Sequence, residues 1–208
     1  MPMTPMVQWL LLINCVIFMA QFYLDPFLLR WFALWPMGAP EVVSTPMGPM
    51  QVPGFQVWQL LSYAFLHGGL LHLFFNMFGL WMFGTALEQL WGSRRFLHYF
   101  LVCAVGAGLV QLLVVSWTGG IYPTVGASGG VLGILLAFAM TYPNRIIVLL
   151  IPPIPMKAKY FVVLFGGFSL WAGMTGTQAG VAHFAHLGGM LFGFLMIQYW
   201  RSRWPFNR

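Results

Sequence analysis

Gly126-Ala127-Ser128-Gly129-Gly130-Val131-Leu132-Gly133-Ile134-Leu135-Leu136-Ala137-Phe138-Ala139-Met140-Thr141 opens on a hydroxyl set among glycines, then runs apolar and uncharged until Tyr142 and Pro143 stop it. A run of this kind is either a buried core helix or a membrane span. The rest of the chain decides between them. Of its 208 residues, 60% are hydrophobic and 6% are charged, against roughly 25% charged in a soluble domain. Its only carboxylates are Asp25, Glu41 and Glu88. A water-facing surface cannot be made from so few charges, so most of this chain has lipid for its solvent.

Working outward from residues 126–141, the same criterion predicts six spans: 7–24, 57–87, 96–115, 126–141, 159–174 and 181–200. The expected fold is therefore all-α, a polytopic membrane bundle of six transmembrane helices forming a single domain over 1–208. Asp25 and Pro26 are expected to end the first span, which has no basic flank and no small-residue cleavage signature and so reads as retained. The fourth and fifth spans are short for a full crossing. Residues 146–151, followed by Pro152, Pro153 and Pro155, either extend one of these spans or dip into the interface. The long loop 25–56, rich in Pro, Met, Trp and Phe, suits the membrane interface better than bulk water.

The net charge of +6 has a topological reading. Arg94 and Arg95 lie between spans two and three. Arg145, Lys157 and Lys159 lie between four and five, and Arg201, Arg203 and Arg208 follow six. Eight of the nine basic residues therefore fall on one side, Arg30 being the exception. The positive-inside rule makes that side cytoplasmic. Both termini are then cytoplasmic in a cell membrane, and spans two, four and six run from the outside in. Basic residues this dispersed do not form a nucleic-acid surface.

Polar side chains within spans are costly without a partner or a wet cavity. They gather on the three inward-running spans: His67, His72 and Asn76 on the second, Ser128 on the fourth, His183 and His186 on the sixth. His72 and Asn76 are four apart and share a helix face, as do His183 and His186, three apart. Gly126, Gly129, Gly130 and Gly133 on span four and Gly188, Gly189 and Gly193 on span six permit close helix approach. Such an approach would bring Ser128 within reach of His186, and a neutral imidazole can take a serine proton. No carboxylate sits at that level, so the pattern supports a Ser–His dyad rather than a triad. His72, Asn76 and the Ser128 amide, at the start of a helix, can donate to an oxyanion.

The pattern resembles the rhomboid family of intramembrane serine proteases. Three motifs carry the resemblance, in the family's order, between about residues 58 and 193: His72-Leu-Phe-Phe-Asn76, Gly126-Ala-Ser128-Gly129 and Ala185-His186-Leu-Gly-Gly189. The resemblance implies a six-span, bacterial-type enzyme with Ser128 as nucleophile, His186 as general base and oxyanion donors at His72, Asn76 and the Ser128 amide. It also implies cleavage of single-span transmembrane protein substrates in the lipid bilayer, near the membrane surface, without metal or cofactor. Two positions depart from it. The loop pair often written Trp-Arg is here Trp58-Gln59, and an aromatic that packs on the catalytic histidine in some members is here Leu132. Glu88 and Gly92 match a family feature, and Glu88 is expected to cap a turn beside Arg94 and Arg95.

Other assignments compete for the same residues. His183 is a rival base that fits the motif less well than His186 and is assigned a packing or hydrogen-bonding role. His67 is expected to face the outer loop as a polar anchor, and His98 to be a satisfied structural histidine. Gly189-x-x-x-Gly193 is expected to pack within the bundle, and Cys15 and Cys103 to be reduced packing residues. A histidine-ligated metal or haem protein is the alternative from another class, but it leaves 126–130 unexplained. A rhomboid-like protein that only binds membrane segments would typically lack the serine or the histidine, and both are present.

Overall fold

The structure, a computed structural model, describes residues 2–39, 41–45, 48–148, 153–176 and 182–203. Apolar runs without charge form helices because every backbone polar group is then satisfied within the segment. Helix α1 spans Pro5–Phe32 and the short α2 spans Gln59–Ser62. Then come α3 over Leu70–Trp91, α4 over Ser93–Thr118, α5 over Ser128–Thr141, α6 over Ala158–Thr175 and α7 over His183–Arg203. Two antiparallel hairpins join them: β1 (Val42–Thr45) with β2 (Gly48–Gln51), and β3 (Ile146–Val148) with β4 (Pro155–Lys157). Among the described residues, three helices, α1, α3 and α4, are long and apolar enough to cross a membrane, and α5 is a shorter apolar helix. The protein is a helical membrane bundle.

Several boundaries differ from the sequence expectation. Helix α1 does not stop at Asp25 and Pro26 but runs on to Phe32. One missing N–H is tolerated within an apolar helix, and Asp25 accepts a bond from Gln21 Nε2 one turn back (3.1 Å). The second span begins at Leu70 rather than Val57. Ahead of it, α2 and a 3₁₀ turn at Tyr63–Phe65 end at His67-Gly68-Gly69, where the paired glycines break the helix. Inside α3 the turn at Leu80–Gly84 widens to a π-helix. Residues 146–148 extend neither neighbouring helix but pair in the β3–β4 hairpin. Val181, residues 149–152 and Arg208 lie outside the described residues.

The core is the α4–α5–α7 crossing, and glycine makes it possible. A methyl on Gly189 would overlap the carbonyl oxygen of Gly129. One on Gly133 would overlap Cys103 Sγ, and one on Gly188 would come 2.7 Å from Val110 Cβ. Gly193 faces Tyr99 and Cys103, so the Gly189–Gly193 pair packs within the bundle. Tyr99 Oη donates to the Gly133 carbonyl (2.9 Å), supporting the same crossing. Cys103 is buried there, whereas Cys15 is exposed, and both are free thiols.

Glu88 bonds Ser93, beside Arg94 and Arg95 where a turn cap was expected, and it also caps α1. Its carboxylate accepts the Met6 and Val7 amides (2.9 Å each), the Thr4 hydroxyl and the Ser93 hydroxyl (2.6 Å). The orphan N–H groups of the first turn of α1 are thus satisfied by a carboxylate at the end of α3. Nothing local in the sequence announces an acceptor more than eighty residues away. Arg95 instead lies over the Trp200 ring, 4.0 Å from its centroid. Glu88→Ala is expected to cost about 2–4 kcal/mol, since it strips one buried and three partly buried donors of an ionised acceptor. Glu88→Gln should recover part of that loss. A denaturation midpoint for Glu88→Ala equal to wild type would contradict this role.

Candidate active site

Ser128 is the first residue of α5, and the segment ahead of it is held from two directions. The Gly126 amide donates to the Tyr63 carbonyl (2.9 Å), and Leu34 and Thr124 exchange backbone bonds (3.0 and 2.9 Å). Tyr63 is in turn tied to α4 through its hydroxyl, which donates to the Ala104 carbonyl (2.7 Å). His186 sits in the first turn of α7, directly above the Gly129–Gly189 contact. The close crossing one residue below Ser128 brings the two side chains together: His186 Nε2 lies 2.9 Å from Ser128 Oγ across 58 residues of sequence.

His72 and Asn76 project from α3 toward the same space. The Gly68 amide points at His72 Nδ1 (3.4 Å), which favours the tautomer with its proton on Nε2. That Nε2 edge lies over Gly126: a β-carbon there would come within 2.7 Å of Nε2 and 2.6 Å of Cε1. Gly126 also has φ +124°, a conformation L side chains rarely adopt, so this position requires glycine twice over. Asn76 is buried, and its Nδ2 donates to the His72 carbonyl (2.9 Å), leaving the second amide proton for another acceptor. At the helix start, the Ser128 N–H has no carbonyl of its own helix to bond. His72, Asn76, Ser128 and His186 all line one cavity of about 680 Å³, which reaches down past Leu132 and Phe165 to Ile147 and Val148 of β3.

Leu132 lines this cavity but does not supply a ring to His186. The rings beside that imidazole come from Phe165 on α6 (centroids 6.2 Å apart) and His183 on α7 (6.0 Å). Gln59 is fully buried and uses its whole amide. Oε1 accepts from the Trp35 and Gln56 amides (3.2 Å each), and Nε2 donates to the carbonyls of Trp31 (3.5 Å) and Gly54 (3.3 Å). This residue organises the long loop, a role no local pattern revealed.

Two histidines are not where the sequence put them. His67 is not a polar anchor: it is buried, neither ring nitrogen has a hydrogen-bond partner among the described residues, and its ring lies 5.2 Å from that of His72, edge-on. Gln21 of α1 clamps its backbone from both sides, accepting from the His67 amide (2.9 Å) and donating to its carbonyl (3.1 Å). His98 is exposed on α4 rather than satisfied inside the bundle. His183 is buried, and neither of its ring nitrogens has a partner among the described residues. Among the described residues, no three of His, Cys, Asp and Glu converge as a metal-ligand set.

The comparisons with known proteins agree with this architecture. Residues 54–203 match the Rhomboid domain family. The chain is 31% identical over 148 residues to the presenilin-associated rhomboid-like protein A, mitochondrial, of Danio rerio, covering 68% of this chain and 38% of that protein. It is 31% identical over 140 residues to rhomboid protease GluP of Bacillus subtilis (66% and 25% covered), and 31% identical over 140 residues to rhomboid protein 1, mitochondrial, of Saccharomyces cerevisiae (65% and 40%). The chain thus spans less than half the length of each of these relatives. On this match, together with the helical membrane bundle described above, the chain belongs to the rhomboid family.

Proposed function

We propose that this chain is an intramembrane serine endopeptidase that cleaves single-span membrane proteins with a Ser128–His186 dyad. The observation that carries this reading is the 2.9 Å approach of His186 Nε2 to Ser128 Oγ at the edge of a cavity between helices. In the proposed reaction, His186 Nε2 takes the hydroxyl proton as Oγ attacks the scissile carbonyl carbon. The resulting oxyanion accepts hydrogen bonds from His72 Nε2–H, Asn76 Nδ2–H and the Ser128 amide. His186 then passes its proton to the leaving amine. Water attacks the acyl-enzyme with His186 again as base, regenerating Oγ–H. Every catalytic group in this scheme belongs to the chain, and the proposal includes no metal or cofactor.

The six-span arrangement in a cell membrane belongs to the same proposal. The basic residues Arg94, Arg95, Arg145, Lys157, Lys159, Arg201 and Arg203 lie at the start of α4, at the outer ends of the β3–β4 pair and the start of α6, and at the end of α7. Taken as the cytoplasmic face, they place the starts of α5 and α7, and with them the dyad, toward the periplasmic or extracellular side.

The test is cleavage of single-span membrane proteins by the purified chain in liposomes, with and without chelator. Cleavage within or near the span, unaffected by chelator, is expected. No cleavage of any member of a varied substrate set, or loss of activity on chelation, would contradict the reading. His72→Ala and Asn76→Ala are each expected to lower kcat by about 10²–10³-fold without abolishing turnover, as removal of one oxyanion donor does. Wild-type kcat in both variants would remove them from the site.

A further inference from the structure

A base that accepts a proton at Nε2 carries its own proton at Nδ1, and after the transfer the ring is a cation. In a triad a carboxylate faces that Nδ1–H. Here the three carboxylates are elsewhere: Glu88 caps α1, Asp25 faces Gln21 on α1, and Glu41 is exposed beside β1. His186 Nδ1 is buried with no partner among the described residues. Such a group calls for a physical account.

Two other buried polar side chains in the same place share that condition. His183, one turn before His186 on α7, is 5% exposed, with Nδ1 and Nε2 both unpartnered among the described residues. Ser169 on α6 is 1% exposed, and its Oγ is likewise unpartnered. The packing of α6 against α7 fixes where Ser169 stands. Phe165 meets the His186 ring, while a β-carbon on Gly173 would come 3.3 Å from His183 Cβ. Ser169 is one turn after the first and one turn before the second, on the same helix face. It therefore faces α7 at the level between His183 and His186. No direct hydrogen bond joins the three groups, and the His183 and His186 rings are 6.0 Å apart, a gap of the kind one water bridges. Three convergent polar groups supply the two to four polar partners that a buried water needs.

We propose that His183 and Ser169 hold one buried water against Nδ1 of His186. The bridge fixes the base's tautomer and orientation and gives its imidazolium a neutral acceptor where a triad has a carboxylate. His183 and Ser169 are positioning residues, and the proposal rests on the protease reading above.

The test measures kcat and KM in liposomes for His183→Phe, Ser169→Ala, the double variant and His183→Gln. Each of the first two is expected to lower kcat roughly 10- to 100-fold, as loss of one hydrogen bond to a cation would. KM and the thermal midpoint should stay near wild type. The double variant should be no worse than the poorer single, because both remove the same bridge. His183→Gln, which keeps an acceptor, should restore most of kcat. Where His183→Phe does not fold, Ser169→Ala carries the test. A second readout needs no turnover: in ¹⁵N-histidine NMR of the Ser128→Ala protein, the His186 Nδ1–H signal should move on adding Ser169→Ala. Wild-type kcat in both singles, additive losses, effects confined to KM, or an unmoved signal would overturn the bridge while the protease reading stands. An inactive wild type, or an active Ser128→Ala, would overturn that reading and the bridge with it.

Discussion

Ser128→Ala and His186→Ala are each expected to reduce cleavage to background, a loss on the order of 10⁵–10⁶ in kcat, while leaving the bundle folded. The size follows from the interdependence of the pair. Without Oγ there is no nucleophile, and without Nε2 that nucleophile keeps its proton; in a soluble serine protease, removing either member costs nearly as much as removing the whole unit. The pair is bonded at 2.9 Å, and among the described residues neither side chain makes another direct side-chain hydrogen bond. Losing it should therefore cost only about 1 kcal/mol of stability. The double variant should be no worse than either single. A Ser128→Ala protein with substantial turnover would end the account, whatever its fold.

Gly189→Ala is expected to be nearly as damaging, for a reason remote from proton transfer. The added methyl would meet the backbone of Gly129, whose Cα would lie only 2.9 Å away and whose carbonyl oxygen would be nearer still. Backbone cannot rotate aside as a side chain can, so α5 and α7 must separate. Ser128 and His186 are carried by those two helices, just above the contact. A displacement of about 1 Å can cost on the order of 10² in rate, and the strain should lower stability by about 1–3 kcal/mol. Cleavage rate and denaturation midpoint should fall together. Wild-type values for both would show that the crossing does not set the dyad's geometry.

Much of this arrangement was legible before any coordinates. Charge scarcity identified lipid as the solvent, and the six apolar runs correspond to α1 and α3–α7, because hydropathy is a local property. The glycines of 126–133 and 188–193 pointed to a close crossing, since small residues have few other uses in a span. What stayed hidden depends on lateral packing, which a linear pattern does not encode. Glu88 could be read as a cap, but not that it caps α1. Gln59 looked like a departure, yet its amide is the hub of the loop. Phe165 and Ser169 gave no motif at all; each matters only because α6 lies against α7 beside His186. Helix breaks were misjudged for a related reason. Pro26, expected to end the first span, is absorbed within α1, whereas Gly68-Gly69, inside the expected second span, precedes the start of α3, just before His72.

A fluorophosphonate probe measures the central claim most directly, because it reports an activated serine without needing the natural substrate. Wild-type protein in liposomes should be labelled on Ser128, identified by the modified peptide. Labelling should disappear in Ser128→Ala and fall to background in His186→Ala, with both variants as thermally stable as wild type to within a few degrees. Labelling elsewhere in the chain, or undiminished labelling in His186→Ala, would contradict a nucleophile activated by that histidine.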